Sequence, residues 1–278
     1  MLKTRVITAL CLLAGFLAAV FLLPPAGWAW LVAVLSVIAG WEWGGFMKLS
    51  RNGRVVLGVM VGCLSGMTVL LFPAAMGGEG WSEALAWKFG RWLYVPAVVF
   101  WLLLLPCWLW RRWPLPGTLG GLLVGALVLF PTFLAFVQLR QLGPWTLVSI
   151  LALVWAADVA AYFSGRAFGK RKLAPNISPG KTWAGAWGAV AGVLVYGFMA
   201  KIWLPVALQP NLPLFAAVLM LLTALSIVGD LFESLLKRQA GLKDSSNILP
   251  GHGGLLDRLD SQTSTLPIVA LLWLYSAA

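Results

Sequence analysis

Asp257 and Asp260 stand three residues apart in the run KDSSNILPGHGGLLDRLDS (243–261), which also holds Asp244, the chain's single histidine, His252, and Gly251, Gly253 and Gly254. On a helix, residues three apart share a face, so these two carboxylates repel unless a cation lies between or beside them, while Arg258 projects elsewhere. Asp230 precedes them, followed by Glu233, Lys237, Arg238 and Lys243. Nearby Lys and Arg account for Asp244 and Glu233 as ordinary ion-pair mates. They do not account for four aspartates gathered in so short a stretch. Oxygen ligands with few nitrogen or sulfur candidates select a hard ion, and Mg²⁺ fits better than Zn²⁺ because it keeps waters and shares its shell with phosphates. His252, flanked by glycines, is read as ordering the loop or reaching a phosphate, not as a metal ligand.

A second polar stretch, DVAAYFSGRAFGKRKLAPNISPGKTWAG (158–185), opens with Asp158 inside an otherwise apolar helix. A carboxylate at membrane depth costs at least roughly 2.5 kcal/mol unless compensated, so Asp158 requires a partner. The loop after it mixes Arg166, Lys170, Arg171, Lys172 and Lys181 with Gly165, Gly169 and Gly180, which let backbone amides approach an anion. A nucleoside triphosphate suits such a loop. The tetrapeptide PGKT does not make a P-loop, because Pro175 stands where that motif needs glycine and no strand precedes it.

The elements that must position these residues are apolar. The chain is 61% hydrophobic and 10% charged, so lipid is its solvent, and helices are the spanning elements because they satisfy their own backbone hydrogen bonds. Runs of spanning length cover 6–23, 28–47, 55–76, 92–110, 117–138, 145–163, 183–203, 213–231 and 263–276. The fold class expected is therefore all-α, a polytopic transmembrane bundle of about nine spans. The third run carries enough Gly, Ser and Pro to be broken or partly re-entrant, and the ninth is short. The whole of 1–278 reads as one integral membrane domain, with 1–140 as scaffold and 145–278 carrying the catalytic loops.

A cytoplasmic N-terminus leaves only Lys88, Arg91, Arg140 and Lys201, of the 20 Lys and Arg, on the opposite side, as the positive-inside rule requires. The net charge of +11 is then concentrated on the face that holds both polar stretches, where anionic lipid headgroups attract it. Pairs among the 17 tryptophans, such as Trp28/Trp30 and Trp108/Trp110, fall near span ends and read as interfacial anchors. Cys11, Cys63 and Cys107 have no metal or disulfide spacing and read as packing residues. Glu42 is expected to pair with a neighbouring basic residue, and Glu79 and Glu83 to be solvated loop residues.

The run SLLKRQAGLKDSSNILPGHGGLLDRLDS (234–261) resembles the signature of phosphatidate cytidylyltransferases, also called CDP-diacylglycerol synthases, and the stretch 158–185 is similar to that family as well. One position departs: the family commonly has Glu where this chain has Ala184. The resemblance implies condensation of CTP with phosphatidic acid to CDP-diacylglycerol and pyrophosphate, with Mg²⁺ as cofactor and a second cation suggested beside it. It implies Asp230 and Asp257 as metal ligands, with Asp260 and Asp244 as second ligands or orienters of basic groups. Lys237, Arg238, Lys243 and Arg258 then neutralise the triphosphate or the leaving pyrophosphate; Ser178, Lys181, Thr182 and His252 contact phosphate, and Asp158 orients a basic residue. The location implied is a bacterial-type cytoplasmic (inner) membrane, with the site facing the cytoplasm, membrane lipids around it, no nucleic-acid partner, and pairing into a homodimer as the assembly considered. A CTP-dependent lipid-alcohol kinase and, in a different class, an ion-coupled transporter are the alternatives.

Overall fold

Each long apolar run forms a helix, and the punctuation between runs sets the ends. The computed structural model describes residues 2–73 and 83–276, with side chains from residue 7 and, in the second part, from residue 87. The side chains of Lys3, Arg5 and Glu83, and all of Glu79, lie outside that description. Helix α1 is Leu2–Leu22; α2, Pro25–Phe46, starts with proline at a position whose amide is free in any case. Helix α3, Arg51–Leu71, is capped by Ser50, whose Oγ accepts from the Gly53 amide at 3.2 Å; it is unbroken over that length, and residues 74–76 of the third apolar run lie outside the described residues.

Helix α4, Glu83–Val99, passes through a π-helical turn at Phe100–Leu104 into α5, Leu105–Arg111. That widened turn presents Phe100 and Trp101, with Trp108 from α5, around Phe232, each ring centroid 5.8 Å from it. These edge-to-face contacts pin the helix that carries the acidic cluster. Then come α6, Gly117–Gln141; α7, Pro144–Phe168; the strands β1, Lys172–Ala174, and β2, Ser178–Thr182; α8, Trp183–Ala200; α9, Leu212–Ala240; and α10, Leu256–Ser276. Gly241, at φ +75°, ends α9 in the left-handed conformation that glycine adopts without strain.

Among the described residues, seven stretches are long and apolar enough to cross a membrane: Pro25–Phe46, Arg51–Leu71, Trp87–Arg111, Gly117–Gln141, Pro144–Phe168, Trp183–Trp203 and Leu212–Ala240. The protein is a polytopic helical membrane protein. The two other expected spans differ from these. The apolar part of α1, Ile7–Leu22, is shorter, and α10 is too polar in its first half. Helix α10 tolerates that polarity because residues 261–270 are all buried against other helices instead of lipid. Within it Ser261 Oγ donates to the Ser226 carbonyl at 3.1 Å and Ser264 Oγ to the Leu225 carbonyl at 2.8 Å, stitching α10 to α9.

Helices α7 and α8 form another tight pair, as α2 and α3 do. A Cβ at Gly185 would lie 3.0 Å from the Ala161 carbonyl oxygen and 3.6 Å from the Gly165 Cα, so bare backbone faces bare backbone there. Only one tryptophan of each expected anchoring pair faces outward. Trp30 and Trp110 are exposed, whereas Trp28 is buried and donates to the Phe136 carbonyl, and Trp108 is buried and donates to the Trp113 carbonyl. The three cysteines are exposed instead of packed inside.

Candidate active site

Helices α7, α9 and α10 bring Asp158, Asp230 and Asp260 together. Asp158 lies in the electric fields of Asp230, Lys181 and Arg258. Asp260 lies in those of Asp230, Asp158 and Lys181. Lys181, delivered by the β1–β2 hairpin, sets its Nζ 2.5 Å from Asp230 Oδ2, while Ser234 Oγ donates to Asp230 Oδ1 at 3.2 Å. Burial pushes the Asp260 carboxyl above the ordinary carboxylate range, and the charge of Asp230 adds to the shift.

Three of these groups border a cavity of about 470 Å³ between α7, the hairpin, α8 and α9, and Asp260 stands outside its lining. Asp158, Asp230 and Lys181 line it, together with Tyr162, Arg166 and Lys172. Arg166 donates to the Tyr162 hydroxyl at 3.1 Å, one helical turn away, which steadies the guanidinium at the wall. The wall is thus acidic on α7 and α9 and basic toward the hairpin.

One level further along α9 sits a second cluster. Lys237 Nζ is 2.5 Å from Asp257 Oδ1 and 3.1 Å from Glu233 Oε1. Asp257 Oδ2 accepts from the Ser245 amide at 2.8 Å, the Ser245 hydroxyl at 2.9 Å and the Gly254 amide at 2.8 Å. Burial alone would raise the Asp257 carboxyl, but Lys237 and these amides outweigh it and hold it below the ordinary range. The loop between α9 and α10 is therefore folded around this carboxylate.

Asp230 and Asp257, both expected as metal ligands, are held by different lysines, and the hydrogen bonds to Asp257 Oδ2 leave only its Oδ1 facing Lys237. Among the described residues no three His, Cys, Asp or Glu side chains form a ready metal cage. The donor set still suits Mg²⁺, which takes one or two carboxylates and draws the rest of its shell from water and phosphate. Asp230 is partly open to the cavity and adjoins a second carboxylate, and both facts favour that ion.

The remaining expected residues divide. Thr182 lines the cavity, but its buried hydroxyl accepts from the Gly185 amide at 3.1 Å, which makes it the N-cap of α8; its own proton is still available to an anion. Ala184, in the first turn of α8, offers no carboxylate to the free amides there, so the cap falls to Thr182. Arg258 is exposed and acts on Asp158. Ser178 pairs with Ala174 in the hairpin, and His252 sits in the α9–α10 loop with its Nδ1 3.4 Å from the Pro250 carbonyl; neither lines the cavity. Arg238, Lys243 and Asp244 are exposed outside it.

Glu42 differs from expectation. It is buried, and instead of a basic mate it receives hydrogen bonds from Ser246 and from the amides of Leu255 and Leu256. The contributions of Tyr162, Arg166 and Lys172 to the wall had only a weak signal in the sequence, a basic loop after Asp158.

A family model described as "Cytidylyltransferase family" matches residues 3–276. A phosphatidate cytidylyltransferase of Pseudomonas aeruginosa is 41% identical over 98% of this chain and 97% of its own length. One of Haemophilus influenzae is 34% identical over 99% of each chain, and one of Bacillus subtilis is 40% identical over 55% of this chain and 57% of its own. With the family model spanning both polar stretches and two relatives matching over nearly the full length, the chain belongs to the cytidylyltransferase family.

Proposed function

We propose that the protein is a phosphatidate cytidylyltransferase, joining CTP and phosphatidate to give CDP-diacylglycerol and pyrophosphate. The observation that carries this is the cavity in which Asp158 and Asp230 face Lys181, Arg166 and Lys172. A phosphatidate phosphate oxygen attacks the α-phosphorus of CTP; a new P–O bond forms and the bond to the bridging oxygen of the β-phosphate breaks, releasing pyrophosphate. The nucleophile is already an anion, so no strong general base is needed. The obstacle is the approach of two polyanions, and charge neutralisation with positioning removes it.

Lys181, Arg166 and Lys172 hold the phosphates at the cavity wall, and Thr182 adds its hydroxyl. Lys237, at the second level, counters charge where α9 leaves the bundle, with Arg238, Lys243 and Arg258 around the entrance. Asp158 orients Arg258 and Lys181. Mg²⁺, with a second cation beside it, would be held by Asp230 and Asp260, and when bound it would neutralise the triphosphate and the leaving pyrophosphate, while Asp257 orients Lys237.

The bias of Lys and Arg supports a site on the cytoplasmic face of a bacterial inner membrane, where CTP arrives from water and phosphatidate from the lipid leaflet. The test is incubation of the purified protein with labelled CTP and Mg²⁺ and either phosphatidate or a lipid alcohol as acceptor. Pyrophosphate together with a lipid-soluble cytidine product is expected. Release of CDP with a phosphorylated lipid alcohol would instead assign a kinase, and neither product would remove the proposal.

A further inference from the structure

We infer that Glu42, on the scaffold helix α2, is a positioning residue for the reaction; this rests on the catalytic reading above. Its side chain is fully buried, at 0% exposure, and does not line the cavity. Oε1 accepts from Ser246 Oγ at 2.5 Å and from the Leu255 amide at 2.9 Å, and Oε2 from the Leu256 amide at 2.7 Å. No ion pair to Glu42 is present among the described residues. Its charge is met by a hydroxyl and by the free amides that open α10, donors that a helix start leaves without intrahelical partners.

The partners interleave with those of Asp257. Ser245 and Gly254 donate to Asp257, while their chain neighbours Ser246 and Leu255 donate to Glu42. One loop is thus clamped between two carboxylates, one from α2 and one from α10. Gly254 sits in the clamp, where any Cβ would strike both Glu42 and the Ser245 hydroxyl. Glu42 therefore fixes where α10 begins. That sets where Asp257 meets Lys237 and, one turn on, where Asp260 meets Asp230.

The test uses the full chain in nanodiscs, with Glu42→Leu, Glu42→Gln and Ser246→Ala. Amide exchange of residues 245–256, kcat and KM per folded enzyme, and thermal unfolding are measured on each. Loss of hydrogen bonds to a buried charge predicts loop exchange faster by about 10- to 100-fold in Glu42→Leu. A fall in kcat of similar size is expected, with KM for CTP changed by less than about threefold because the cavity wall is untouched. Glu42→Gln keeps one acceptor oxygen and lies between Glu42→Leu and wild type; Ser246→Ala, which removes a single donor, is milder and covers the case in which Glu42→Leu does not fold. Unchanged loop exchange, or exchange raised throughout the bundle with kcat per folded molecule intact, would overturn the inference and leave Glu42 a general stabiliser. The wild-type product assay stands apart: its failure removes the catalytic reading, while the exchange result still reports whether Glu42 orders the loop.

Discussion

Lys237 on α9 and Asp257 on α10 meet with Nζ 2.5 Å from Oδ1, both side chains largely shielded from solvent. Glu233 shares the same ammonium. Lys237→Met keeps the length of the stem and removes the charge, leaving two buried carboxylates without their cation. Breaking a buried pair from one side costs about 3–5 kcal/mol, so denaturant unfolding in detergent is expected to show a loss of that order. A loss below about 1 kcal/mol, the range of exposed pairs, would mean that water reaches this cluster.

Asp230→Asn keeps the shape of the side chain and removes the charge that faces the cavity. Folding is expected to persist, because Asp230 is partly open and Ser234 and Lys181 can rearrange around an amide. Transfer activity is expected to fall at least about 10²- to 10³-fold, the usual cost of one preorganised electrostatic contact. Circular dichroism and a product assay on the same preparation decide the matter; near-normal turnover in a folded variant would remove Asp230 from the site.

Removal of divalent cation gives a complementary measurement. In excess chelator the product assay is expected to fall to background and to recover when Mg²⁺ is restored, with helical content constant throughout. Full turnover in chelator would mean that the lysines and arginines alone neutralise the phosphates.

Gly185→Val tests the contact that builds the cavity's far wall. Its Cβ would lie 3.0 Å from the Ala161 carbonyl, and the branched side chain adds bulk against Gly165. Overpacking of this kind costs about 1–3 kcal/mol, and Gly185→Ala is expected to fall below it. Unfolding measurements on both variants give the comparison. Equal stabilities would show that α8 can move away from α7 freely.

Hydropathy revealed where lipid is and much less of where helices end. Helix α7 runs on to Phe168 and α9 to Ala240, beyond the apolar runs that ended at 163 and 231, because a helix continues into water after its apolar face is no longer needed. The run after 231 supplies Glu233 and Lys237, so the second cluster stands on rigid backbone instead of a loop. The hairpin had no alternating pattern to betray it, since its strands are short and rich in Lys, Pro and Gly. The concentration of aspartates was plain in the chain, but its division into two levels was not. That division depends on how α9 and α10 pass each other. The partners of Glu42 leave no mark in the sequence because two of the three are backbone amides, which every residue but proline carries, and the third is a serine 204 residues away.

The serines and threonines along the middle of α10 bear on how the protein is made. A helix with Ser261, Gln262, Thr263, Ser264 and Thr265 in succession partitions poorly into bare hydrocarbon, and here each of the five is enclosed by protein. Its stay in the bilayer thus depends on α6 and α9 having already formed a polar-lined slot to receive it. During biogenesis Asp257 and Asp260 at its head would reach their places only after the surrounding helices had been inserted.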